Sequence, residues 1–216
     1  TDVSSETMLA ILPLFIASLG GAGIAIGLIG GIGDSVASLL KVFSGYWSDR
    51  LRKRKPFAFF GYSISSVAKL FFPFVSSWTQ LLILRPMERV GKGIRDAPRD
   101  ALIAASSNVE VRGKAFGFHR AMDSFGAFLG AFLAFILFWF LKFEFKPILL
   151  VAALISFLAL FPFIWVREAP SGNYLKESSS FRISLRNLPP TFRRFLMVTV
   201  LFALGNFTYM FFILRA

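Results

Sequence analysis

Residues 45–55 read Gly-Tyr-Trp-Ser-Asp-Arg-Leu-Arg-Lys-Arg-Lys. This short stretch, closed by Pro56, holds five cations and a single acid, Asp49. Its flanks are apolar. Upstream, no charged residue occurs from Thr7 to Gly33, and the cluster Gly20-Gly21-Ala22-Gly23 divides that run. Downstream, Phe57 to Val75 is interrupted only by Lys69. A membrane-spanning helix needs about 20 predominantly apolar residues. A basic loop between two such runs is a membrane-side loop, and its Lys/Arg excess places it in the cytoplasm.

The rest of the chain extends the pattern. Of 216 residues, 56% are hydrophobic and 17% charged, with 28 Phe and a mean hydropathy of +0.66. Yet 24 Lys+Arg face 12 Asp+Glu, a net charge of +12. A soluble domain carries about a quarter charged residues, and a disordered or nucleic-acid-binding chain is far less apolar. The composition instead fits a multi-span membrane protein. With no Cys, disulfides, thiol catalysis and Cys-ligated metals are excluded, and one His cannot build a multi-His metal site. No cofactor is expected. The chain opens at Thr1 with neither an initiator Met nor a signal pattern and stops at Arg215-Ala216 in apolar sequence, so it reads as a truncated piece of a longer protein.

Six spans are expected before a polar linker: a helix ending near Leu19, then Ile24 to Gly45, Phe57 to Val75, Thr79 to Ala105, Gly113 to Leu141 and Pro147 to Val166. A seventh apolar run covers Phe195 to Leu214. The segment after the sixth span carries Arg167, Lys176, Arg182, Arg186, Arg193 and Arg194 against Glu168 and Glu177. Basic loops 46–56 and 167–190 thus fall on one side, the cytoplasm, and helix 1 starts inside. The expected organisation is an all-α six-helix bundle over 1–166, a cytoplasmic linker over 167–190 and a first helix of a second bundle over 191–216.

Ionisable groups at membrane depth cost at least ~2.5–3.5 kcal/mol each and are rare unless functional. Asp34 lies ten residues into helix 2, roughly 15 Å deep at 1.5 Å per residue and near the middle of a ~30 Å core. Arg89 on helix 4 and Asp123 on helix 5 lie at similar depth, and Glu6 slightly to the cytoplasmic side. On helix 4, positions 85, 88/89, 92, 95/96 and 99 are all charged and share one helical face. That face cannot point at lipid. It is expected to line a water-filled interior and to find partners among Asp2, Glu6, Asp34 and Asp123, with Gly91, Gly93 and Pro98 bending the helix beside a cavity.

Two interpretations are open for these charges, a structural ion-pair network and a transport site; the deepest three, Asp34, Arg89 and Asp123, favour the second. His119 and Asp123, four apart on helix 5, are either a proton relay or packing residues. Glycines at four-residue spacing in helix 2 (Gly23, Gly27, Gly31) and helix 5 (Gly126, Gly130) permit close helix contact. Gly91-Lys92-Gly93 lacks the Gly spacing and Ser/Thr of a phosphate loop, so an ATP-driven pump has no support.

The stretch 45–55, placed between helices 2 and 3, resembles the signature of the major facilitator superfamily, Gly-x-x-x-Asp-Arg-x-Gly-Arg-Arg/Lys, with Arg52 at its second Gly. Residues 85–93, Arg-Pro-Met-Glu-Arg-Val-Gly-Lys-Gly, look like the family's helix 4 pattern Arg-x-x-x-Gly-x-Gly-x-Gly, with Arg89 at its first Gly. Residues 126–131 resemble the helix 5 motif of exporters, with Ala131 where those have Pro. Residues 88–104 and 111–123 look like a prokaryotic branch. The resemblance implies a twelve-helix fold of two six-helix bundles and a secondary active transporter that moves a small solute by alternating access with proton coupling. It implies a conformational latch from Gly45, Asp49, Arg50 and Arg54, with Asp49 pairing with a helix of the second half, and a proton-coupling role for Arg85. Substrate and coupling candidates are Glu6, Asp34, Arg85, Arg89, Asp123 and His119. The expected partners are a small-molecule substrate, protons and the lipid bilayer of the plasma membrane, with no nucleic acid and a monomeric full-length protein. The alternatives are a uniporter or organic-anion exchanger using Arg85 and Arg89, or a non-transporting scaffold or receptor. An intramembrane enzyme lacks a nucleophile or metal constellation.

Overall fold

The computed structural model describes residues 1–51, 53–166, 189–204 and 213. Seven α-helices follow in order: α1 (Asp2–Ser18), α2 (Gly23–Leu51), α3 (Arg54–Phe71), α4 (Trp78–Ala105), α5 (Arg112–Phe135), α6 (Phe145–Leu158) and α7 (Pro190–Leu204). Among the described residues there is no strand. Most of the expected linker, and the expected helix 7 beyond Leu204 apart from residue 213, lie outside the described residues.

Local chemistry sets the boundaries. α1 stops where Gly20 adopts φ 79°, while the Gly20 and Gly21 amides donate to the Ala17 and Ile16 carbonyls at 3.0 and 2.9 Å. This pair of bonds around a left-handed glycine closes a helix C-terminus and leaves few carbonyls unpaired. α2 runs six residues beyond its expected end at Gly45, to Leu51. Asp49 and Arg50 are therefore helical, and α3 begins at Arg54. Pro56 lies in the first turn of α3, where its missing N–H has no intrahelical role. Ser77 caps α4 by accepting from the Thr79 amide. α5 ends in a π turn over Ile136–Phe140, and α6 is followed by a 3-10 turn over Phe161–Ile164. Four segments are long and apolar enough to span a membrane: Gly23–Leu51, Arg54–Phe74, Val109–Phe140 and Phe145–Ile164. α4 is a span whose charges are sheltered by its neighbours.

The packing is organised in pairs. α4 lies between α2 and α3, and α1 lies between α5 and α6, with α3 and α6 in contact at the back. Exchanging α1 with α4, α2 with α5 and α3 with α6 maps each of these contacts onto another of them. That is the pattern of a three-plus-three internal repeat. Along the membrane normal the bundle is zoned. Phe15, Ile16, Ile26, Phe72, Leu81 and Ile148 are buried together near the helix ends away from the basic loop. Ser4, Ser65, Lys69, Arg85, Glu88, Arg89 and Arg95 are buried in the other part.

The glycines of α4 act differently from the expected bend. Trp78–Ala105 is one continuous helix through Pro86 and Pro98. A Cβ at Gly91 would strike the Gly61 carbonyl and Ser65 of α3, and one at Gly93 would meet the Ala37 carbonyl of α2 at 2.7 Å. These positions bring three backbones together and border no cavity. In α2 the expected contact residue Gly31 faces open space, and Gly33 holds that role instead. On α5, Gly130 packs as expected: a Cβ there would strike Val3 O and lie 2.9 Å from the Glu6 Cβ on α1.

Candidate functional site

The buried charges of α4 form a chain that leads outward. The Arg85 guanidinium donates to Glu88 Oε2 at 2.8 Å, and the two side chains are 2% and 1% exposed. The same carboxylate lies 3.9 Å from Arg89 Nε. The far end of Arg89 reaches Asp34 Oδ1 of α2 at 3.1 Å, and Asp34 is 63% exposed. Gly33 makes room for this: a Cβ there would sit 3.1 Å from the Arg89 Cγ and 3.3 Å from the Arg85 Cγ. Ser65 Oγ donates to the Glu88 carbonyl, fixing α3 against the same turn. An exposed carboxylate at mid-depth cannot face hydrocarbon. The α2–α4 flank that carries it faces water or further protein.

A second set lies on α1 and α5. His119 Nδ1 is 3.4 Å from Asp123 Oδ1, and Thr7 Oγ1 donates to the Gly130 carbonyl at 3.0 Å. Glu6 is half-buried beside Gly130 and forms no ion pair among the described residues. Of the six expected site residues, the structure joins Asp34 to Arg89 and His119 to Asp123, and ties Arg85 to the first pair through Glu88.

Part of the expected helix 4 face is not a cavity lining. Arg85, Glu88 and Arg95 are enclosed between helices, and Arg95 lies over the Tyr62 ring of α3 at 4.4 Å, next to Asp96 at 3.7 Å. Asp96 also faces Lys41 of α2 at 3.9 Å. Lys69, which interrupts the apolar run of helix 3, is expected near mid-depth but without a partner. Its Nζ donates to Ser4 Oγ at 3.0 Å and Ser5 Oγ at 2.9 Å. A cavity of about 500 Å³ opens elsewhere, at the outer ends of α1 and α6 between Phe15, Phe138, Phe143 and Phe145, and holds none of the expected site residues.

A model of the Major Facilitator Superfamily matches residues 2–215. The chain belongs to this superfamily. It is 44% identical to an uncharacterized MFS-type transporter of Methanocaldococcus jannaschii over its whole length, and it spans 53% of that relative. Uncharacterized proteins of Mycobacterium bovis and Mycobacterium tuberculosis are 32% identical over 60% of this chain and 32% of their own length. The chain thus spans about half the length of the most fully matched of these relatives.

The superfamily signature takes on a specific shape here. Gly45 brings α2 close to α4, with a Cβ there 3.2 Å from the Ala97 Cβ. Arg54, at the start of α3, donates to Asp49 Oδ1 at 2.8 and 3.1 Å, and its Nη1 reaches the Ala101 carbonyl near the end of α4. A cation at a helix C-terminus meets the negative end of its dipole. Arg50 donates to the Tyr46 hydroxyl at 3.3 Å. The signature residues therefore clamp α2, α3 and α4 together at one end of the bundle. Arg52 lies outside the described residues.

Proposed function

We propose that this chain is the first half of a proton-coupled secondary transporter that moves a small solute across the plasma membrane by alternating access. In this assignment residues 1–166 are the first bundle, 167–190 the cytoplasmic linker and 191–216 the first helix of the second bundle, in a protein that works as a monomer. The observation that carries it is the Asp34–Arg89 pair, a 3.1 Å bond between an exposed carboxylate and a buried guanidinium. In an alternating-access carrier the site lies near the midplane between two bundles. When the second bundle closes over Asp34, water leaves, and burial disfavours the charged carboxylate unless Arg89 holds it. A change in that pairing converts proton binding into a difference in stability between conformations. His119 and Asp123 give α5 a second proton-accepting position beside α1.

Arg85 and Arg89 each have a carboxylate partner, Glu88 and Asp34. That supports charge coupling within the protein over an anion-reading role for these two arginines. The test is uptake into liposomes driven by a pH gradient, using a solute selected by thermal shift on the intact protein. Asp34→Asn or Asp123→Asn is expected to abolish gradient-driven uptake while leaving solute-induced stabilisation in place. If both variants retain it, the coupling assignment is wrong.

A further inference from the structure

Among the described residues, four cations are buried: Lys69, Arg85, Arg89 and Arg95. Three are arginines, which hold their proton throughout the physiological range. Each also has a carboxylate nearby, Glu88 at 2.8 Å, Asp34 at 3.1 Å and Asp96 at 3.7 Å respectively. Lys69 differs on both counts. It is 0% exposed, forms no ion pair, and its hydrogen-bond partners are the neutral hydroxyls of Ser4 and Ser5.

From this contrast we infer that Lys69 is a proton-binding residue of the transporter, and that its protonation sets how firmly α1 is tied to the α3–α4 unit. The inference rests on the proton-coupled reading above. A serine hydroxyl either accepts a hydrogen bond or donates one. Ser4 and Ser5 therefore satisfy both forms of the lysine: the ammonium donates to both, and the free amine accepts from one through its lone pair. Deprotonation releases one proton to water and breaks no covalent bond other than N–H. A charge-assisted bond is roughly twice as strong as a neutral one, so the tie is strong when Lys69 is charged and weak when it is not.

The position of Lys69 makes this tie matter. α1 packs mainly on α5 and α6, whereas α3 packs on α4 and α6. Lys69 crosses between the two sets. The charged groups that face it are Asp2 of α1 and Arg85, Glu88 and Arg95 of α4. α6, which also packs on α3, carries one titratable residue, Lys146, near its outer end. Glu88, the carboxylate best placed to compensate Lys69, already bonds Arg85. Among the described residues, direct contact to the Lys69 ammonium comes from the Ser4 and Ser5 hydroxyls, with Asp2 as a more distant opposite charge.

The experiment uses the intact transporter in proteoliposomes, with Ser38→Cys as its single cysteine. Ser38 is exposed on α2 and bonded to the Asp34 carbonyl, so its rate of reaction with a water-soluble maleimide, taken at each pH relative to the same cysteine in the unfolded protein to remove thiol ionisation, reports exposure of the α2–α4 flank. The rate is expected to titrate with pH in the Ser38→Cys protein. Lys69→Arg, permanently charged, should hold it at the acid limit at every pH. Lys69→Met should hold it at the alkaline limit. The Ser4→Ala/Ser5→Ala pair, which keeps the lysine, should shift the midpoint. Should Lys69→Arg misfold, the serine pair and Lys69→Met decide. Lys69 variants that keep the original midpoint overturn this inference and leave coupling intact. A Ser38→Cys protein with no pH response overturns the coupling reading itself, and this inference with it.

Discussion

The two halves of the repeat, α2–α3–α4 and α5–α6–α1, share a contact plan and differ in chemistry. In the first, α4 carries buried ions: the Arg85–Glu88 pair within the helix, Arg89 bonded to Asp34 of α2, and Arg95 over Tyr62 of α3. In the second, α1 is held by small residues and neutral bonds: Gly126 and Gly130 of α5, and the Thr7 hydroxyl on the Gly130 carbonyl. A buried charge network is costly to disturb, because breaking a pair leaves an uncompensated charge between helices. A seam of glycine against backbone, by contrast, has no long side chains to re-pair when it shifts. The comparison assigns the first half as the rigid partner and places the mobile surface along α1 and α5.

The sharpest way to break the comparison is Glu88→Ala. It strands a fully buried Arg85 and should cost about 3–5 kcal/mol, read as a loss of thermal stability in detergent with little folded protein recovered. Next come the close approaches, one in each half. Gly93→Ala against the Ala37 backbone and Gly130→Ala against the Val3 and Thr7 backbone should each cost about 1–3 kcal/mol. Gly31→Ala, which meets nothing within 4 Å, should stay within about 0.5 kcal/mol. Thr7→Val removes a hydroxyl shared between the Val3 and Gly130 carbonyls and should cost about 0.5–1.5 kcal/mol. If Thr7→Val destabilises as much as Glu88→Ala, the proposed difference between the halves is wrong.

Apolar run length and composition were enough to read the chain as a multi-span helical membrane bundle, because insertion into a bilayer depends on those quantities. The boundaries were less legible. A run ending in Asp49-Arg50 looks like a loop by polarity, yet the helix continues to Leu51 because charged residues at the membrane surface keep good helical propensity. The same blind spot affected α4. A charged helical face at membrane depth signals shelter from lipid, but the sequence does not say whether water or neighbouring helices provide it. Here Gly61 and Gly91 allow α3 so close that Arg95 is enclosed instead of wetted. Lys69 was missed as a partner because its acceptors, Ser4 and Ser5, are 65 and 64 positions away. Nothing in a serine pair marks it as an acceptor for a distant lysine.

Asp34 has a further consequence for how the protein is made. Chains are synthesised from the N-terminus, and early domains begin to fold before later ones exist. This bundle therefore enters the bilayer with a half-exposed carboxylate on one flank. Until the remaining helices arrive, that flank must be met by the insertion machinery or by a water defect in the lipid. The charge proposed here for coupling in the finished molecule thus sets a time limit on its assembly. A chain stalled after its sixth helix should be a ready target for membrane quality control.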